Sequence, residues 1–155
     1  PLGANCTKTK CFETELAFKN GADEFDIVIN VGWLKEKMYD ELLFEINEIK
    51  NIIGHHILKV IVEISLLTDD EIKKMSEIVS NSHADYIKTS TGFSAHGATL
   101  DAVKIMKDNI SNGKKIKASG GIRDYKTAKS YLDTGVSRLG VSAGIEIMEE
   151  FKKQK

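Results

Sequence analysis

Two short runs place a lysine inside what otherwise reads as a buried strand: DYIKTSTG, Asp85 to Gly92, and KIKASGG, Lys115 to Gly121. Lysine is among the residues least often buried. In each run the lysine, Lys88 or Lys117, is followed by small and hydroxyl residues that leave room beside the ammonium. Two ammonium groups in one cavity repel, and partial desolvation adds to the effect, so one pKa should fall. A neutral lysine is a nucleophile, and its characteristic covalent chemistry is a Schiff base with a carbonyl carbon. A third run, FDIVIN, supplies Asp26, a carboxylate able to move protons. Two amines and a carboxylate form a sensible set for carbon–carbon chemistry next to a carbonyl. That chemistry needs no metal and no cofactor.

Two glycine-rich runs stand beside these residues. SGGIRD, Ser119 to Asp124, and GVSAG, Gly140 to Gly144, each follow a strand-like run and open a helix-like one. Free N–H groups at helix starts and glycine-rich turns bind phosphate. Ser119, Gly120, Gly121, Gly140 and Ser142 are therefore candidates for holding a phosphorylated substrate.

The elements that must position these groups alternate along the chain. Strands are expected at Phe25–Asn30, Ile57–Ile64, Tyr86–Thr89, Lys115–Ala118 and Arg138–Val141. Helices are expected at Thr7–Asn20, Met38–Ile53, Asp69–Ser82, Thr99–Ile110, Tyr125–Thr134 and Ile145–Lys152. Thr68 with Glu71 forms a capping-box pattern, and Gly21 and Gly54 stand where helices end. Strands that recur between amphipathic helices indicate successive βα units and a parallel sheet.

Side chains alternate between the faces of a strand. Asp26, Lys59, Glu63, Lys88, Lys117 and Arg138 share one parity, while the other parity is apolar. A doubly wound sheet is covered by helices on both faces and should be apolar on both. A (β/α)8 barrel has helices outside only and can hold a polar site at the C-terminal ends of its strands. The barrel fits better. Lys88 and Lys117 then point inward, and Lys59 is expected to pair with Glu63 or Asp26.

Composition narrows the partners. The 155 residues are 41% hydrophobic and 29% charged, with a net charge of −1. That is an ordinary globular mix with no pull toward nucleic acid or a membrane surface. Neither a membrane span nor a signal peptide is visible, and a cytoplasmic location is expected. Cys6 and Cys11 read as reduced thiols on one helix. His55, His56 and His83 fall in or beside loops and suggest no metal site.

PLGAN, GADEFDIVIN, LKVIVE, DYIKTSTGFS, IKASGGIRD and RLGVSAG together resemble deoxyribose-phosphate aldolase, a class I aldolase family, in order and spacing along nearly the whole chain. The resemblance implies a (β/α)8 TIM barrel. It implies reversible cleavage of 2-deoxy-D-ribose 5-phosphate to acetaldehyde and D-glyceraldehyde 3-phosphate, in deoxyribonucleotide catabolism. It places Lys88 on the Schiff-base lysine, Lys117 on the lysine that tunes it, and Asp26 on the proton relay. Gly92, Gly120, Gly121, Gly140 and Ser142 fall on the phosphate-binding turns.

Five strands are countable where the family barrel has eight, and PLGAN matches the segment after the third. The expectation is a single partial barrel domain over residues 1–155, read as a fragment of a longer product. Its open edges would be met by a missing N-terminal segment or by other copies in a homo-oligomer. The alternative is an inactive barrel fragment that binds phosphorylated ligands or assembles with a partner chain.

Overall fold

The computed structural model describes residues 1–154. Its elements follow in the order α1 Thr7–Lys19, β1 Glu24–Val28, α2 Val31–Lys35, α3 Tyr39–Ile53, β2 Ile57–Ile61, α4 Asp69–Asn81, β3 Tyr86–Lys88, α5 Leu100–Asn109, β4 Lys115–Ser119, α6 Tyr125–Asp133, β5 Arg138–Gly140 and α7 Gly144–Lys153. The described strands form one sheet in the order β1-β2-β3-β4-β5, and every pairing is parallel. Parallel neighbours need a crossover, and a helix supplies each one.

The sheet has two chemically different faces. Phe25, Ile27, Leu58, Val60, Ile87, Ile116 and Ala118 are buried on the outer face. They meet Ile46 and Ile49 of α3, Met75 and Val79 of α4, and Val103 and Met106 of α5 in one core. Each fully buried aliphatic side chain contributes about 1.5–3 kcal/mol. The inner face carries Glu24, Asp26, Lys59, Tyr86, Lys88, Lys117 and Arg138, and among the described residues no helix packs over it.

The curvature separates the two candidate architectures. Arg138 of β5 donates to Glu24 of β1, at opposite edges of the sheet. Four strand spacings of about 4.8 Å would hold those edges roughly 19 Å apart in a flat sheet. Inward side chains meet only if the sheet curls, as in a barrel wall. A doubly wound sheet is excluded.

Local rules explain most element boundaries, and the departures have physical causes. Thr68 and Glu71 form the expected capping box at the start of α4. Asn30 is not the end of β1. Its side chain accepts from the Trp33 N–H at 3.3 Å and caps α2, a short helix the alternating pattern gave no sign of. The strand expected to run to Ile64 ends at Ile61, because Glu63 adopts a left-handed conformation and a short 3₁₀ turn follows at Ile64–Leu66. Cys6 lies at the N-cap of α1 and outside the helix, so only Cys11 is helical.

Among the described residues β1 and β5 each lack a second neighbour. Large apolar side chains are exposed near both edges: Phe12 and Leu16 on α1, Leu132 on α6, and Ile145 and Met148 on α7. A groove of about 550 Å³ along α6 and α7 includes Leu132, Leu139, Val141 and Met148 in its wall. Among the described residues no helix is long and apolar enough to cross a membrane.

A buried ion pair fastens α1 to α3. Lys10 Nζ lies 2.5 Å from Glu45 Oε1 and donates to the Val28 carbonyl at 2.8 Å. Thr7 donates its hydroxyl to the other carboxylate oxygen at 3.1 Å. Removing one member of such a pair strands the other charge. Lys10→Met is therefore expected to cost about 3–5 kcal/mol in urea unfolding, and adding Glu45→Leu to recover most of it.

Candidate active site

Register sets the candidate residues in two neighbouring rows of the inner face, since Lys59 pairs with Tyr86 and Lys88 stands two residues further along β3. Asp26 is paired with Lys59, Lys88 with Lys117, and Lys117 with Arg138. All share the inward parity, so their side chains converge above the sheet. Asp26 Oδ1 lies 3.3 Å from Lys88 Nζ and 3.8 Å from Lys117 Nζ. Its other oxygen, Oδ2, lies 3.4 Å from Lys59 Nζ. One carboxylate thus faces three ammonium groups.

The charged cluster continues beyond Asp26. Lys59 Nζ also contacts Glu24 Oε2 at 3.0 Å, and that oxygen accepts from Arg138. Lys59 therefore pairs with Glu24 and Asp26, while Glu63 engages Thr91 instead. The Arg138 guanidinium lies 5.1 Å from the Tyr86 ring centre, a cation–π contact from below. Lys59, Lys88, Lys117 and Arg138 oppose Glu24 and Asp26, which leaves two positive charges in excess if every group is ionised.

That excess bears on Lys117. Burial pushes its pKa below the usual lysine value. Repulsion from Lys88, Lys59 and Arg138 adds to the fall, and attraction to Asp26 opposes it. Hydrogen bonds from Arg138 and Lys59 hold the Glu24 carboxyl below its usual range. The ammonium form of Lys117 is therefore disfavoured. The crowding expected from sequence is present, and the structure identifies the lysine it acts on.

The glycine turns lie at the C-terminal ends of β3, β4 and β5, directly above the lysines. Gly92, Gly120 and Gly121 have φ values of 93°, 86° and 80°, a region that side chains disfavour. Their N–H groups donate to nothing among the described residues. Gly120 also lies against Gly97: a Cβ added at Gly97 would sit 2.2 Å from the Gly120 backbone. The Ala98 N–H donates to the Ser119 carbonyl at 2.9 Å and locks the two loops together.

Three candidates occupy more specific places. Gly140 faces inward, where an added Cβ would lie 2.7 Å from Ser119 Cβ and 3.2 Å from Lys117 Cε, so its missing side chain makes room for the lysine. Ser119 is buried, and its hydroxyl donates to the Ser90 carbonyl at 2.6 Å, which ties β4 to the turn after β3. Ser142 is exposed just ahead of α7. Sequence reasoning assigned no role to Glu24 or Gly97, and it offered Glu63 only as a partner of Lys59. Glu24 was within reach, since it lies two residues before Asp26 and shares its inward parity. Nothing local marks Gly97.

A curled parallel α/β sheet with helices outside and amines on its concave face defines a TIM-barrel-type enzyme domain. Residues 3–149 match the DeoC/LacD family aldolase pattern, and the chain belongs to that family. The deoxyribose-phosphate aldolase of Staphylococcus carnosus (strain TM300) is 48% identical over 149 residues, which are 96% of this chain and 68% of that protein. The corresponding enzyme of Coprothermobacter proteolyticus is 49% identical over 152 residues, 98% of this chain and 69% of that one. Among solved structures, the aldolase QR15 superposes with a TM-score of 0.94 at 45% identity, over 99% of this chain and 70% of its own. A tetrameric deoxyribose phosphate aldolase from Aeropyrum pernix gives 0.85 at 28% identity, over 100% of this chain and 66% of its own.

Gly140 provides a direct test of the packing. Gly140→Ala is expected to displace Lys117 and to lower aldol cleavage about 10²-fold, the usual penalty for moving a reacting group by an ångström. Thermal unfolding should show a cost of about 1–3 kcal/mol for overpacking.

Proposed function

We propose that this chain reversibly cleaves 2-deoxy-D-ribose 5-phosphate to acetaldehyde and D-glyceraldehyde 3-phosphate through a Schiff base on Lys88. The observation that carries this reading is Asp26 Oδ1 within reach of both lysines, in a chain of an aldolase family. Lys117, its pKa depressed, takes the proton from the Lys88 ammonium by way of Asp26. Neutral Lys88 then attacks the aldehyde carbon of the open-chain sugar; the Lys117 ammonium gives its proton to the carbinolamine hydroxyl, which leaves as water, so that an iminium on Lys88 and a neutral Lys117 remain. Asp26 and Lys117 accept the proton of the hydroxyl on carbon 3. The bond between carbons 2 and 3 breaks, and its electron pair moves into the iminium to form an enamine. Glyceraldehyde 3-phosphate departs. Protonation of the enamine and addition of water release acetaldehyde and restore the amine.

The N–H groups of Gly92, Gly120 and Gly121, with the turn from Gly140 to Ser142, hold the phosphate. Ser119 supports that site by fixing the top of β4. The cationic excess on the inner face draws the anionic substrate in. Residues 1–155 act as one domain in the cytoplasm. The exposed apolar side chains beside β1 and β5 support association with further chain, and the tetrameric relative makes a homo-oligomer the natural form.

Borohydride trapping tests the chemistry. Incubation with deoxyribose 5-phosphate and borohydride should leave a stable adduct on the peptide that carries Lys88. An adduct on another lysine would overturn the reading. Lys88→Ala should abolish both adduct and turnover, and Lys117→Met should slow cleavage by about 10²–10⁴.

The pH profile tests the electrostatics. Because Lys117 must be neutral, kcat/KM should rise with pH along a limb below the ordinary lysine range. Arg138→Met removes a positive charge, which makes the Lys117 ammonium less unfavourable and raises its pKa. The limb should therefore move to higher pH.

A further inference from the structure

Glu63, just past β2, combines three unfavourable features. It is only 2% exposed. Its φ of 57° is left-handed, although it is not glycine. One carboxylate oxygen, Oε1, is buried with no partner among the described residues. Buried carboxylates, left-handed non-glycine residues and unpaired buried oxygens each raise the free energy of a fold. Their coincidence in one residue points from strain toward function.

What Glu63 holds is specific. Its Oε2 accepts both the backbone N–H of Thr91, at 3.2 Å, and the Thr91 hydroxyl. Thr91 Oγ1 accepts in turn from the Phe93 N–H at 3.1 Å. The left-handed bend also lets the flanking N–H groups reach the strand that carries the proposed nucleophile. Val62 donates to the Lys88 carbonyl and Ile64 to the Thr89 carbonyl, each at 3.0 Å. The segment from Lys88 to Thr91 is thus held by the residues around Glu63, and Thr91 in turn holds Phe93. Between Thr91 and Phe93 lies Gly92, whose N–H donates to nothing among the described residues.

We propose that Glu63 is a positioning residue that, through Thr91, holds the turn Thr91–Phe93 so that the Gly92 N–H meets the phosphate of the substrate. This rests on the phosphate site proposed above. The inference separates the two ends of the substrate: Glu63 serves the phosphate end, whereas the Lys88 amine depends on Asp26 and Lys117. A residue needed only for folding would affect both ends alike.

The test uses Glu63→Ala, Thr91→Val, Thr91→Ser and the double variant Glu63→Ala/Thr91→Val. Inorganic phosphate binding, followed by ³¹P NMR, needs no turnover. Borohydride trapping of acetaldehyde on Lys88 needs no phosphate. Glu63→Ala and Thr91→Val should each weaken phosphate binding and raise the KM for deoxyribose 5-phosphate about tenfold, the scale of a hydrogen bond to a charged group. Acetaldehyde trapping should stay within about twofold, Thr91→Ser should restore phosphate binding, and the double variant should be no weaker than either single one. Thr91 is a half-buried turn residue outside the strands and helices, so its variants remain informative if Glu63→Ala does not fold. Unchanged phosphate binding in Thr91→Val, parallel loss of trapping and phosphate binding, or additive losses would each overturn the proposal. So would an unsubstituted chain that binds no phosphate. Failure of the aldolase reading alone would instead appear as lost Lys88 trapping with the phosphate response to Thr91→Val intact.

Discussion

Asp26 faces Lys59, Lys88 and Lys117 at 3.3–3.8 Å, and the concave side of the sheet is organised around that one carboxylate. Too few anions are present to neutralise the cluster, so a proton is held weakly somewhere within it. Burial decides that it is held weakly at Lys117. The remaining inward groups keep this imbalance in place. Glu24 anchors Lys59 and Arg138 at the lower end, and Gly140 leaves the space into which Lys117 extends. A fully paired cluster would be more stable and less reactive, since a lysine neutralised by its own carboxylate has no reason to lose its proton.

This arrangement depends on a sheet whose faces do different work. The outer face buries Leu58, Val60, Ile87 and Ile116 under helices, which fixes the strands firmly enough to set distances across them. The inner face is then free to carry groups that repel. Rigidity on one side supports tension on the other. The turns at the strand ends extend the same logic: Gly97 and Gly120 press together, Ser119 binds the Ser90 carbonyl, and Glu63 grips Thr91. The flexible-looking glycine loops are in fact braced from behind by buried polar contacts.

Much of the site was legible because strand alternation is local. Asp26 and Lys117 announce their direction by the apolar residues on either side and Lys88 by Ile87 before it, and that was enough to prefer a barrel wall over a doubly wound sheet. The glycine turns were legible for a similar reason, as they follow strands and precede helices. The partner of Lys59 was half legible: Glu63 or Asp26 was expected, Asp26 is the one of the two that meets it, and Glu63 instead engages Thr91 at the left-handed bend after β2. Helix α2 went unseen because Asn30 can end a strand or cap a helix, and only the Trp33 N–H shows which.

The sequence by itself determined which residues point inward and which turns can bend, because period-two alternation and glycine backbone freedom act within a few residues. Tertiary structure decided the counter-ions and the asymmetry between the lysines. Arg138 and Glu24 meet across 114 positions of chain, and the burial of Lys117 depends on how tightly neighbouring strands curl. Electrostatic energy depends on distance in space and on exclusion of water, and neither is fixed until the sheet has closed around the site.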